Sequence, residues 1–150
     1  MQRGIDYIGV TVSFICHDGQ GMVLLQKRSQ NARDEQGRWD NGGGALEIGE
    51  TFEEGVLREV TEEFGVDGFN LVPLDVYNLI REQDGVVTHW VAIPYAVQVD
   101  PAAVKICEPH KVDEISWFTP DALPSPQHTC LQRTVQLATD AKIFSTSALS

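Results

Sequence analysis

Cysteine is scarce in this chain of 150 residues, and the three present, Cys16, Cys107 and Cys130, are odd in number and widely spaced. No C-x-x-C pair occurs, which argues against both a disulfide framework and a zinc site, so the three are expected as small buried hydrophobes. No apolar run approaches the roughly 18 residues of a membrane-spanning helix. The opening MQRGIDYIGV lacks the apolar core of a signal peptide, and a cytoplasmic location is the default expectation. Basic residues are few, 11 against 22 acidic, and the net charge of −11 speaks against a nucleic-acid polymer or an anionic membrane as partner. Internal repeats, linkers and low-complexity segments are absent. Residues 1–150 are therefore expected to form one domain, large enough to bury a core without staples.

What the chain does have is concentrated in residues 44–66, GALEIGETFEEGVLREVTEEFGV. Gly44 is followed after five residues by Glu50 and after seven more by Arg58-Glu59. Aliphatic Val60, the pair Glu62-Glu63 and then Gly65 with Val66 complete the pattern. Seven fixed positions in register have a chance probability on the order of 10⁻⁹ per window at average residue frequencies. Thr51 followed three residues later by Glu54 is a capping box, which predicts a helix from near residue 52 until Gly65 stops it.

At about 100° per residue, Glu59, Glu62 and Glu63 share an arc of roughly 100°. Val56, Leu57, Val60 and Phe64 form the neighbouring apolar stripe, so the carboxylates border the buried face. Two such charges about 4 Å apart repel by about 4 kcal/mol at an effective dielectric of 20. A hard divalent cation is the simplest remedy, and all-oxygen donors select Mg²⁺, with Mn²⁺ as a substitute. The bland alternative is a solvated acidic helix face; the glycine triplet Gly42, Gly43, Gly44 and the loop carboxylate Glu50 weigh against it. Arg58 lies four residues from both Glu54 and Glu62 and reads as an orienter of carboxylates. Glu53 and Glu54 suit the positive end of the helix dipole. Gly55 either lets the glycine loop approach or is a tolerated poor helix former.

The pattern G-x5-E-x7-R-E-U-x-E-E-x-G-U, with U aliphatic, is the Nudix box, and the chain resembles the Nudix hydrolases over nearly its whole length. The resemblance implies an α/β fold: an α/β/α sandwich around a mixed β-sheet, with a loop-helix-loop motif over the active site. It implies Mg²⁺-dependent hydrolysis of a nucleoside diphosphate linked to another moiety. Carried over residue by residue, Glu59, Glu62 and Glu63 are the metal-binding carboxylates, with Glu59 a candidate base. Glu50 is a further ligand or an acceptor just behind them, and a Gly43 or Gly44 carbonyl completes the coordination. Family members are often dimers, so a homodimer is an expectation.

Asn41-Gly42 replaces the proline that many members carry before the glycine pair, so a looser glycine loop is expected. A second likeness, Glu108-Pro109-His110-Lys111 followed by Trp117-Phe118 and Leu123-Pro124, resembles the E-P-x-K segment of nucleoside-triphosphate pyrophosphatase members. In those, the glutamate reaches the metal site; read alone, Glu108 is an ordinary loop carboxylate. The substrate implied is a (deoxy)nucleoside triphosphate or modified nucleotide, with ADP-ribose or a nucleotide sugar as the alternative. A non-catalytic nucleotide-sensing module is the rival from another class, and an mRNA-cap hydrolase fits the acidity poorly. Arg28, at a strand end, Trp39, Gly43 and Gly44 are candidate substrate contacts, while Tyr7, Tyr77 and Trp90 either stack on a base or pack in the core. His17, His89, His110 and His128 show no spacing that suggests a site.

Along the chain, residues 6–16 and 22–26 form a hairpin around Asp18-Gly19-Gln20-Gly21. Residues 29–38 are loop. Residues 71–82 and 86–98 form a second hairpin about Asp84-Gly85, with Pro73 and Pro94 at strand ends, edges or bulges. Residues 114–118 are a short strand, 119–123 a brief helical turn, and 127–144 an amphipathic helix burying Cys130, Thr134, Leu137, Ala138 and Ala141. The final STSALS reads as a frayed end.

Overall fold

The computed structural model describes residues 1–145, so all of the STSALS segment but Ser145 lies outside the described residues. Strands β1 (Gly9–His17), β2 (Val23–Arg28), β3 (Trp39–Asp40) and β4 (Gly43–Ala45) precede helix α1 (Phe52–Phe64). Strands β5 (Phe69–Pro73), β6 (Tyr77–Gln83), β7 (Val86–Gln98) and β8 (Val112–Phe118) follow, then helix α2 (Leu131–Asp140). All eight strands join one sheet. It is mixed: β1 runs parallel to β7 along its whole length, and every other pairing is antiparallel. Among the described residues no helix is long and apolar enough to cross a membrane.

Strand alternation explains the layers. Val12, Phe14 and Cys16 of β1, with Leu24 and Ile93, Tyr95 and Val97, pack on Val56, Val60 and Phe64 of α1. The intervening Ile15, Val23, Leu25 and Ala96 pack on Leu131, Val135 and Ala138 of α2. The result is an α/β/α sandwich. Cys16 and Cys130 are buried within it, and burial drives the Cys16 thiol pKa up, with the Glu63 charge adding to the rise.

Helix α1 begins and ends where its capping chemistry dictates. The Thr51 hydroxyl accepts from Glu54 N–H, the Glu54 carboxylate accepts from Thr51 N–H, and Gly65 closes the helix at φ 69°. The β6–β7 hairpin turns through Asp84 (φ 52°) and Gly85 (φ 79°), the left-handed pair that a two-residue turn requires.

Four expectations change. The strand expected over 71–82 is two strands, β5 and β6, separated at 74–76. Pro94 lies inside β7 rather than at an end, where the partner of β7 switches from β6 (Ala92 with Tyr77) to β5 (Tyr95 with Pro73). The missing N–H therefore falls in the gap between two partners, while the Pro94 carbonyl still accepts from Leu74 N–H at 2.9 Å. The C-terminal helix is shorter than 127–144, and Leu131 and Val135 replace Ala141 on its buried face. Residues 119–123 form a turn without a helix.

Candidate active site

The site exists because β1 and β2 part company. They pair only at Cys16 with Leu24 and His17 with Val23; beyond that, β4 takes the edge of β1 and β3 takes the edge of β2. The split opens a cleft of about 420 Å³ between the glycine loop, α1, β6, β7 and residues 108–112. Two close approaches fix the glycine loop against its neighbours. A Cβ on Gly43 would stand 2.6 Å from the Val12 carbonyl oxygen, and one on Gly44 would run into the Glu59 carboxylate. The loop is not loose. Asn41 is 1% exposed, and its Nδ2 donates to Phe14 O at 2.9 Å and Gly42 O at 3.2 Å. An amide that stitches the loop to β1 thus does the work expected of a proline. Gly55 is buried, and a Cβ there would come within 2.8 Å of Leu46, so its vacancy admits the segment after the glycines.

Arg58 gathers the carboxylates. Its Nε and Nη2 grip Glu50 at 2.6 and 2.9 Å, while Nη1 meets Glu59 at 2.7 Å and Glu62 at 3.3 Å. Glu54 is not among its partners, because the capping box already holds that side chain. Glu50 also accepts from Glu47 N–H, and the Arg58 guanidinium followed by that amide holds its pKa down at about 2. Its oxygens are thus committed to Arg58 rather than turned toward the cleft.

Glu63 is the buried member, 9% exposed. Its Oε1 accepts from Gln26 Nε2 at 2.6 Å and its Oε2 from Gly43 N–H at 3.3 Å. Burial pushes its pKa well up and the Gln26 hydrogen bond opposes this, while the nearby charges of Asp40, Glu59 and Glu108 add to the rise. Burial likewise raises Glu59, Arg58 opposes it, and the Glu62 charge adds to it. Glu62 remains half-exposed.

Glu108 reaches the cleft because residues 108–112 are sewn to the end of β2. Ser29 N–H donates to Lys111 O, Ser29 Oγ donates to His110 O, and Arg28 pairs with Val112. Arg28 also lines the cleft, held by Asp34 at 2.7 Å and Asp40 at 3.2 Å. Trp39 does not. It is 7% exposed and packs edge-to-face on Phe118, 5.1 Å between centroids, within the α2-side core. In a strand of two residues the side chains oppose each other; Asp40 takes the cleft, which sends Trp39 to the core and removes it from the substrate contacts. Tyr77 and Trp90 line the cleft, whereas Tyr7 is surface-exposed.

Several lining residues carried no sequence signal of their own: Gln26, Asp40, Arg81 and His128. His128 Nε2 meets Glu35 at 2.8 Å and its Nδ1 accepts from Cys130 N–H at 3.1 Å; with the proton on Nε2, both contacts are satisfied. Among the described residues five buried side-chain polar atoms lack a partner: Ser13 Oγ, Gln26 Oε1, Asn41 Oδ1, Tyr77 OH and Arg81 Nε. Every one belongs to a residue lining this cleft. Buried polar atoms are normally satisfied, so this clustering marks a surface arranged for a polar ligand.

The chain matches the family model described as the NUDIX domain over residues 8–137. Among curated relatives, an uncharacterized Nudix hydrolase of Yersinia pestis is 29% identical over 110 residues, 73% of this chain and 57% of that protein. The uncharacterized Nudix hydrolase YfcD of Salmonella typhi is 31% identical over 110 residues, 73% of this chain and 56% of its own length. The chain thus matches little more than half the length of these relatives. A solved MutT Nudix hydrolase from Burkholderia pseudomallei superposes with a TM-score of 0.78 at 27% identity, covering 88% of this chain and 98% of that one. The NUDIX domain of Shewanella oneidensis NrtR, solved with ADP ribose, has a TM-score of 0.73 at 22% identity over 91% of this chain and 90% of that one, a likeness of fold. With the family pattern running from residue 8 to residue 137 across this sheet and cleft, the chain belongs to the Nudix hydrolase family.

Proposed function

We propose that the cleft hydrolyses a phosphoanhydride bond in a nucleoside diphosphate linked to a further group, with a divalent cation as cofactor. The observation that carries this reading is the coincidence of five unsatisfied buried polar atoms with the carboxylates of the same cleft.

The donor chemistry fits a hard cation. Among the described residues no three side chains are already set around one ion, since Arg58 draws Glu50, Glu59 and Glu62 to itself. Yet Glu63 is buried within the field of Asp40, Glu59 and Glu108, with an amide on one oxygen and a backbone N–H on the other, and these oxygen donors share a cleft that positive charge would stabilise. Glu59, Glu62 and Glu63 would hold Mg²⁺ or Mn²⁺, with a Gly43 or Gly44 carbonyl beside them. Held there, such an ion would supply positive charge to the phosphate oxygens and make an attacking water more acidic.

The chain's own part is positioning. Arg58 fixes Glu59 through Oε1, Gln26 fixes Glu63, and the glycine loop lies flush against β1 and the Glu59 carboxylate, where a Cβ on Gly43 or Gly44 would intrude. Glu59 accepts the proton of the attacking water, with Glu108 as the alternative acceptor. The water oxygen bonds to phosphorus as the bridging P–O bond breaks, and charge on the transferring group is met by fixed groups. Arg28 is poised toward the same space.

A panel of nucleoside triphosphates, modified nucleotides, ADP-ribose and nucleotide sugars, assayed with Mg²⁺ and then with EDTA, tests the reading. Metal-dependent cleavage at the diphosphate is expected, with both products identified. Binding without turnover of any member would point instead to a nucleotide-sensing module.

A further inference from the structure

Beside the carboxylate cleft lies an annex of about 370 Å³ that shares Arg33, Asp34, Ala45, Arg81 and Trp90 with it. Its charge is opposite to that of the molecule. The chain has seven arginines and a net charge of −11. Three of those arginines, Arg3, Arg33 and Arg81, line this one space against a single carboxylate, Asp34. Arg81 is committed through Nη1 to Glu35 at 2.6 Å and Asp34 at 3.7 Å, but its buried Nε has no partner. Arg3 and Arg33 are exposed, and among the described residues neither pairs with a carboxylate. Among the described residues the Arg3 side chain makes one hydrogen bond, to Leu46 O at 3.3 Å, which sets it beside the segment that follows the glycines.

The N-terminal segment is held there by Trp90. The backbone of Gly4 and of Gly9 lies so close to the indole that a Cβ at either would overlap the ring, and His89 N–H donates to Gly4 O at 2.8 Å. Gly4 adopts φ 81°, so an L-residue there would be strained as well as blocked. These contacts place Arg3 over the same wall that Arg33 approaches from the 29–38 loop. Guanidinium groups crowded on one concave surface repel one another, and a phosphate between them removes the repulsion while accepting forked N–H bonds.

We propose that this annex is the subsite for a second anionic group of the substrate, a phosphate monoester remote from the scissile diphosphate. The preferred substrate class is then a nucleoside diphosphate derivative that bears a further phosphate. This rests on the hydrolase reading above and adds which diphosphates the site prefers.

Turnover with Mg²⁺ is compared within pairs that differ by one phosphate: NADPH with NADH, coenzyme A with its dephospho form, and ADP-ribose 2′-phosphate with ADP-ribose. The phosphorylated member is expected to have the higher kcat/KM by about tenfold or more, chiefly through KM. Arg3→Ala and Arg33→Ala each shrink that ratio, the double variant brings it close to one, and Arg33→Lys retains part of it. Arg81 is left intact because it also holds Glu35. A ratio near one in the unmodified protein, a ratio unchanged in the double variant, or turnover confined to compounds without the extra phosphate overturns the annex alone. No turnover of any compound, nucleoside triphosphates included, with Mg²⁺ or Mn²⁺ overturns both this inference and the hydrolase reading.

Discussion

Glu63 and Glu59 are the two carboxylates of the box whose pKa burial pushes up, whereas Glu50 is held down by Arg58, and that difference supports the chemistry proposed for them. A carboxylate kept at the surface gains nothing from a cation that solvent does not already supply, whereas one buried within the field of Asp40 and Glu108 would gain from it. Glu59→Gln and Glu63→Gln keep side-chain volume and remove the charge. Each is expected to lower kcat by about two orders of magnitude or more while the circular dichroism spectrum stays that of the unmodified protein. Near-normal turnover in both would remove these residues from the mechanism. Glu35 supplies a pH prediction. It accepts from Thr129 N–H at 2.8 Å and Thr129 Oγ1 at 2.7 Å, and faces Arg38, Arg81 and His128. Burial opposes its ionisation, but the His128 and Thr129 contacts outweigh that and hold its pKa far below the usual value near 4.5. A depressed carboxylate pKa contributes stability that is present above the unfolded value and is lost as pH falls toward the folded one. Glu35→Gln should therefore cost about 2 kcal/mol near neutral pH. The gap from the unmodified protein should narrow below pH 4.5 in thermal melts across pH.

At the scale of elements, α1 carries both core side chains and cleft carboxylates, and its two ends can be probed separately from the face that bears Glu59, Glu62 and Glu63. Gly65 adopts φ 69°, and a Cβ there would stand 2.8 Å from Cys107 Sγ. Gly65→Ala is expected to cost about 1–2 kcal/mol, lowering Tm by several degrees, with activity per folded molecule retained. Gly44→Ala should do the reverse. Its Cβ displaces the Glu59 carboxylate rather than the backbone, so the expected result is a nearly unchanged Tm and a loss of turnover by tenfold or more. If Gly44→Ala retained full turnover, the close approach of loop and carboxylate would have no catalytic meaning. The β1–β2 split does for the cleft what α1 does for the carboxylates: β3 and β4 each take one freed edge, and Gln26, paired with Asp40 of β3, meets Glu63 across the opening.

Taken whole, the molecule holds a strongly acidic cluster against a basic annex across one cleft, and the cation proposed for the acidic side would offset the mutual repulsion of its carboxylates. Mg²⁺ at a hundredfold excess over its dissociation constant should stabilise the fold by about 2.7 kcal/mol, a rise in Tm of several degrees that EDTA reverses. An equal rise with NaCl at matched ionic strength would show general screening instead. Much of this was legible from residues near each other in the chain. The capping box, the glycine stop, the arc of glutamates beside an apolar stripe and the Asp84-Gly85 turn all follow from short-range spacing, because helix periodicity and turn chemistry act over a few residues. Distant pairings were not legible. That Gln26 and Asp40 face Glu63, that Glu108 is carried in by the β2–β8 ladder, and that Asn41 ties the loop to β1 depend on strands far apart in sequence. Trp39 shows the same division: its size and position suggested a ligand contact, but which face a two-residue strand turns inward is set only by its neighbours. The sequence alone thus determined the helix, its caps and its row of carboxylates. The tertiary structure decided what stands opposite them, since a cleft is made by the register between strands, and register is a property of the assembled sheet.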